Sequence, residues 1–242
     1  ALQRLLKGAA EVLCEIGDKA PTEIARTFTL ACSDAQLIGD LPPLVAALHQ
    51  HMPRSSIRVV SIDYLLSRQG LANGEVDVGI APPGTLPDTH ATVLYREDGC
   101  VAVRKNHPRV GRSLTPEVFK REKHVDVLVT MGKGGAIHSA FEKVLEQHGL
   151  ARTVKAAVPS FAAAAHLASK SDLLACLPAR ASQMFASGLP LRLLPLPVKL
   201  PAFPLALHWH ERTQHDPASR HFRSVVTETL RETELNPVPD PA

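Results

Sequence analysis

Ser33 and Asp34 are a pair whose type and setting suit chemistry. They follow the apolar alternation of Phe28, Leu30 and Cys32, and they precede Leu41, Leu44, Val45 and Leu48, spaced as one buried face of a helix. A strand, a polar turn and a helix are expected, with the side-chain oxygens of Ser33 and Asp34 offered to the N–H groups of the starting helix. A helix amino end at the carboxyl end of a strand is also where ligands sit in open α/β sheets, and its dipole favours an anion. Capping is the general use of such residues and ligand binding the second; these residues alone leave both open.

Other motifs carry less. Gly132-Lys133-Gly134-Gly135 has the look of a phosphate loop but lacks the full spacing and the Ser or Thr after Lys. His208, His210 and His215 could suggest a metal site, but no Cys or acid pattern accompanies them, so structural or surface histidines are expected and no metal. No Gly-x-Ser-x-Gly elbow and no Ser/His/Asp set occurs, so no catalytic residue is assigned and an enzyme is not expected. Cys14, Cys32, Cys100 and Cys176 show no metal-ligand spacing; buried reduced thiols are expected, with a disulfide left open.

Composition bounds the rest. The chain has 242 residues, 45% of them hydrophobic, 21% charged and 4% aromatic, so an aliphatic core and one large domain or two lobes are expected. A net charge of +3 with scattered basic residues is too small to argue for nucleic-acid binding. No run of 18 apolar residues exists, and no signal peptide is visible, so a cytoplasmic protein with no membrane span is expected.

The elements that must position the turn alternate in type. Residues 1–18 read as an amphipathic helix with Leu2, Ala9 and Ile16 seven apart, and 19–26 as a linker. Strands are expected at 57–62, at Val76-Val78-Ile80, at 94–104, at Val125-Val127-Val129, at 152–158 and at 173–177. Helices are expected at 65–73, from Thr115-Pro116-Glu117, over Ile137 to Leu145, after Pro159-Ser160-Phe161 and over 179–186. The proline-rich run 191–204 reads as irregular, 203–210 as a returning strand, and Asp216-Pro217 as the start of a last helix. The tail from 235 is expected to be disordered. Strands alternating with helices imply an α/β fold with mainly parallel sheets flanked by helices.

The succession of motifs resembles the effector-binding part of LysR-type transcriptional regulators. The segments that carry it are Leu30-Ala31-Cys32-Ser33-Asp34, Leu41-Pro42-Pro43-Leu44, the run from Leu71 to Ile80, Val101 to Pro108, Asp172 to Pro178 and His208-Trp209-His210. The resemblance implies a two-lobed type 2 periplasmic-binding-protein-like fold, with lobe I at 27–103 plus 206–234 and lobe II at 104–205. It makes residues 1–26 the end of a linker helix, at 1–18, and the linker that follows it. A small anionic organic effector would bind between the lobes, and the full protein would reach promoter DNA through an N-terminal winged helix-turn-helix absent here. A homodimer or homotetramer and no cofactor are implied. A transport solute-binding protein on the same fold is the alternative.

The resemblance also assigns the ligand site. Cys32, Ser33, Asp34 and Ala35 would contact the effector, with Tyr64 and Pro82 beside them and Thr130, Met131, Ser160 and Phe161 facing them. In the aromatic-acid branch of the family, histidines project into the cleft at positions matching Gly134 and Ser160. Neither is histidine here, which argues against a salicylate-like effector.

Overall fold

The computed structural model describes residues 20–66, 69–84 and 88–232. The expected leading helix and the tail from 235 lie outside those residues. The described residues divide into two compact units, one drawn from 20–32, 41–94 and 206–232, the other from 33–40 and 95–205.

The first unit holds a five-stranded sheet in the order β2-β1-β3-β10-β4. Its strands are β1 (Thr27–Cys32), β2 (Ser56–Ser61), β3 (Val78–Ala81), β4 (Thr89–Glu97) and β10 (Phe203–His210). β1 runs parallel to β2 and β3, and β10 returns antiparallel to β3. The sheet is thus parallel where βα crossovers build it and mixed where the chain comes back. The helices are α2 (Leu41–His51), two single turns α3 (Asp63–Leu66) and α4 (Gly70–Asn73), and the last helix α9 (Pro217–Glu232). Pro42 and Pro43 fall in the first turn of α2, where no intrahelical N–H is needed. Leu44 and Leu48 are buried as expected, but Val45 is exposed.

One polar knot ties this unit's elements together. Arg26 reaches Asp77 at 2.6 Å and Asp216 at 2.9 Å, and its guanidinium lies over the Phe28 ring. Asp77 also accepts the backbone N–H of Thr29 at 2.8 Å. Beneath it Phe28 stacks on Phe222 of α9, with ring centroids 4.3 Å apart and planes 7° from parallel.

The second unit holds a sheet in the order β7-β6-β8-β5-β9. Its strands are β5 (Gly99–Arg104), β6 (Lys123–Val127), β7 (Thr153–Val158), β8 (Leu173–Pro178) and β9 (Leu191–Pro195). β6 is parallel to β7 and β8, while β5 is antiparallel to β8 and β9. Its helices are α1 (Asp34–Gly39), α5 (Pro116–Arg121), α6 (Ala136–Gln147), α7 (Phe161–Lys170) and α8 (Ala179–Gly188). Strand alternation puts Ala102, Val125, Ala175 and Leu177 against the alanines of α7 and against α8. Val101, Val103 and Leu174 face Phe119 and Leu145 on the other side.

Three expectations change here. Residues 99–103 were expected in the first lobe, but β5 pairs with β8 and β9, so they lie in the second sheet. The run 191–204 was expected to be irregular, yet β9 forms within it, because an edge strand tolerates Pro195 where a central one would lose a ladder bond. The polar turn after β1 was expected to open one helix. Instead the chain makes two helices divided at Asp40, and the first of them, α1, is counted with the second unit.

The Phe28–Phe222 stack gives a direct check on the first core. Phe222→Ala should cost about 3–5 kcal/mol, read as a lowered urea midpoint with unchanged slope.

Candidate functional site

Within each unit, residues singled out from sequence stand at the carboxyl ends of parallel strands. In the first unit Cys32 closes β1, Tyr64 stands in the single turn after β2, and Pro82 follows β3. Cys32 is buried and Tyr64 is exposed. The Pro82 carbonyl accepts a hydrogen bond from Nε2 of the buried His208 at 3.1 Å. Burial holds the His208 imidazole below its ordinary pKa, and its Nδ1 has no described partner. His208 is thereby a structural residue, which answers the metal reading of the His208-Trp209-His210 segment for that ring.

In the second unit the site is built around Asp34. Ser33 takes the N-cap position of α1, but its Oγ donates to Gln36 Oε1 at 2.6 Å and makes no side-chain cap bond. Asp34 does cap a helix, though not its own. Its Oδ2 accepts the Ser160 hydroxyl at 2.8 Å and the Ala162 N–H at 2.8 Å, while Oδ1 accepts the Phe161 N–H at 3.2 Å. Ser160 is the N-cap of α7 and also accepts the Ala163 N–H at 3.1 Å. The positive end of α7 therefore already holds a carboxylate, in the place foreseen for a ligand's. Ala35 is buried in the apolar cluster that Phe161 packs against from its edge.

Thr130 and Met131 lie in a tight hairpin after β6. Thr130 and Lys133 exchange backbone hydrogen bonds, with Lys133 N–H to Thr130 O at 2.8 Å. Met131 and Gly132 both have positive φ, +48° and +71°, the signature of a type I′ turn. The Gly-Lys-Gly-Gly run is thus a turn with its glycine where a left-handed residue is required. Met131 is the most exposed large apolar residue described, at 64%.

Behind this hairpin sits a charged group that sequence spacing did not bring out. Asp126 on β6 accepts Arg152 Nη2 at 2.8 Å and His138 Nε2 at 2.8 Å, and Arg152 also pairs with Glu142. Burial raises the Asp126 pKa, but Arg152 and His138 outweigh it and hold the carboxyl below its ordinary range. Asp126, His138 and Glu142 lie close enough together to ligate a metal. The Arg152 side chain, 2% exposed, bonds to both carboxylates and supplies the cation there. The one readable signal was His138 and Glu142 four apart on one helix face.

A family model described as the LysR substrate binding domain matches residues 21–231. The chain belongs to the LysR family. It is 31% identical over 211 residues to the HTH-type transcriptional activator NahR of Pseudomonas putida, covering 85% of this chain and 68% of that protein. A probable transcriptional regulator of Pseudomonas aeruginosa is similar in structure, at TM-score 0.78 and 28% identity, covering 96% of this chain and 74% of that one. So is the regulatory domain of MexT, a transcriptional activator in the same organism. It has TM-score 0.73 and 27% identity, covering 84% of this chain and 99% of that one. These relatives are regulators, so the LysR-type domain is an effector-binding module with the two-lobed periplasmic-binding-protein-like fold, not an enzyme. The transport alternative finds no counterpart among them. No helix among the described residues is long and apolar enough to cross a membrane.

Family membership sharpens the meaning of Gly134 in this LysR domain. A Cβ built on Gly134 would lie 2.4 Å from His138 Nδ1 and 2.9 Å from Cγ of the same ring. The imidazole of His138 thus fills the space that a side chain at 134 would enter. Gly134→Ala should push the His138 ring away from Asp126. The check is the His138 imidazole cross-peaks in a nitrogen-edited NMR spectrum, which should shift while the Trp209 indole signal stays put.

Proposed function

We propose that this domain senses a small anionic organic molecule for a LysR-type transcription factor of the cytoplasm. Cys32, Ser33, Asp34, Ala35, Tyr64, Pro82, Thr130, Met131, Ser160 and Phe161 are the residues the effector contacts. The observation that carries the reading is made in each unit by itself. Cys32 closes β1 and Tyr64 and Pro82 follow β2 and β3, while in the other unit Thr130 and Ser160 follow β6 and β7, all parallel strands within their own sheets. Ligands of open α/β sheets bind outside strand carboxyl ends, and apolar walls with a few aimed polar groups are the usual lining.

The whole protein acts as a homodimer or homotetramer and reaches promoter DNA through an N-terminal winged helix-turn-helix. The chain spans between 62% and 69% of the length of four curated regulators it matches, and the whole-protein assignment rests on them. An effector that favours one arrangement of the domain supplies a coupling of about 1–3 kcal/mol.

Thermal melts against a panel of aliphatic and aromatic carboxylates, benzoate and salicylate included, test the reading. At a hundred times its Kd an effector adds about 2.7 kcal/mol of stability, a shift of several degrees. Ser33→Trp should abolish that shift with the unliganded Tm unchanged within a degree or two. A panel without effect removes the anionic reading, and equal binding by Ser33→Trp removes the assigned site.

A further inference from the structure

The far end of α1 meets a second polar cluster that the effector reading does not use. Asp40, 3% exposed, closes α1 as its C-cap. Tyr95 of β4 donates its hydroxyl to Asp40 Oδ2 at 2.5 Å. Arg180, in the first turn of α8, stands with Nη2 3.2 Å from Asp40 Oδ1 and its guanidinium 4.1 Å from the centre of the Tyr95 ring. Glu97, only 1% exposed, accepts the backbone N–H of Arg180 at 3.1 Å. Gly39 lies against the same turn of α8, 4.0 Å from Arg180 Cβ to the position a Cβ would take.

The charges here do not balance. Two buried carboxylates stand against Arg180, Asp40 at its guanidinium and Glu97 at its backbone N–H, and a buried net negative charge is costly. The groups acting on Glu97 are Arg180 and the Ala179 backbone from α8 and Asp40 from the end of α1; Glu97 in turn acts on Tyr95 of β4 and on the Cys100 thiol of β5. None of these relieves the imbalance. Burial and the Asp40 charge keep the Tyr95 hydroxyl protonated well above its ordinary range, and burial pushes the Cys100 thiol up to about 12.

We infer that Asp40 and Glu97 share one proton around Arg180, so that α1 is fastened to its unit by a latch that tightens as the pH falls from neutral. With the proton in place the cluster is neutral, and Asp40 keeps its bonds to Tyr95 and Arg180. Without it, the two carboxylates repel and the C-terminal end of α1 loosens. Burial raises the Glu97 carboxyl to about 7 despite the opposing Arg180 N–H and charge, and burial raises Asp40 as well. The two titrate as a pair. Because α1 begins with Asp34, the proton acts on the helix that carries the Ser33–Ala35 turn.

The direction follows from linkage. A carboxyl at about 7 when latched, and lower once α1 opens, binds more protons latched. Opening therefore grows as the pH rises toward 7 and levels off above it. Global stability is a poor readout, because His124 has the opposite sign. Burial lowers that imidazole to about 4, so it costs stability as the pH drops below 6.5.

Local hydrogen exchange is the test, on the 242-residue chain from pH 5 to 8.5 and corrected for intrinsic base catalysis. The reporting amides are Leu37, bonded to Ser33 O, and Asp40, bonded to Gln36 O. Their protection should fall severalfold per pH unit up to about 7 and then stay flat. Glu97→Gln should remove that slope, and Asp40→Asn should only lessen it, because burial still raises Glu97 when the Asp40 charge is gone. A slope that survives Glu97→Gln overturns the latch. Should neither variant fold, the carboxyl carbon of Glu97 in the unaltered chain decides by NMR. A midpoint near 7 supports the shared proton, and one near 4.5 overturns it.

Discussion

The carboxylate of Asp34 at the amino end of α7 is the contact on which the organisation of the second unit turns. Two N–H groups and a hydroxyl converge on it, and charge-assisted bonds of this kind are stronger than neutral ones. Hence α1 packs with α7 and α8, although the strand that leads into it, β1, belongs to the other unit. Ala35 then fills the edge of the apolar cluster on α7 and α8. Asp40 meets Arg180 at the other end of the same six-residue helix. A helix this short has little stability of its own; its two terminal acids hold it by contacts made elsewhere.

The internal carboxylate also refines how the site works. The α7 amino end was expected to stand ready for a ligand's anion, and it is met by the chain's own. An effector that uses Ser160 or the Phe161 and Ala162 amides must share or replace the bonds of Asp34. The same substitution of a protein group for a guest occurs at Asp126, His138 and Glu142, where Arg152 supplies a cation. In both places one of the chain's own charged side chains satisfies polar groups that could otherwise take an external ion.

Much of the fold was legible in the chain. The apolar alternation of β1, the β-branched run of β2, the Thr115-Pro116 start of α5 with its Thr115 cap and the Asp216-Pro217 start of α9 all form where expected. These are local signals, set by strand pitch, cap chemistry and proline geometry. What was not legible was non-local. Nothing in the spacing of Ser33 and Asp34 tells which helix Asp34 caps, because Ser160 is more than a hundred residues away. Pro195 looked like a breaker because its edge position is visible only once β9 pairs with β5. Gly134 read as an absence, since the ring that fills its place comes from the next turn of helix.

The account stands or falls on the Asp34–Ser160 contact being an energetic link. A double-mutant cycle with Asp34→Ala, Ser160→Ala and the pair, measured by urea unfolding, reads it most directly. The account predicts a coupling of at least about 1 kcal/mol, as contacting groups in one network show. Additivity within about 0.3 kcal/mol, the behaviour of independent sites, would contradict it.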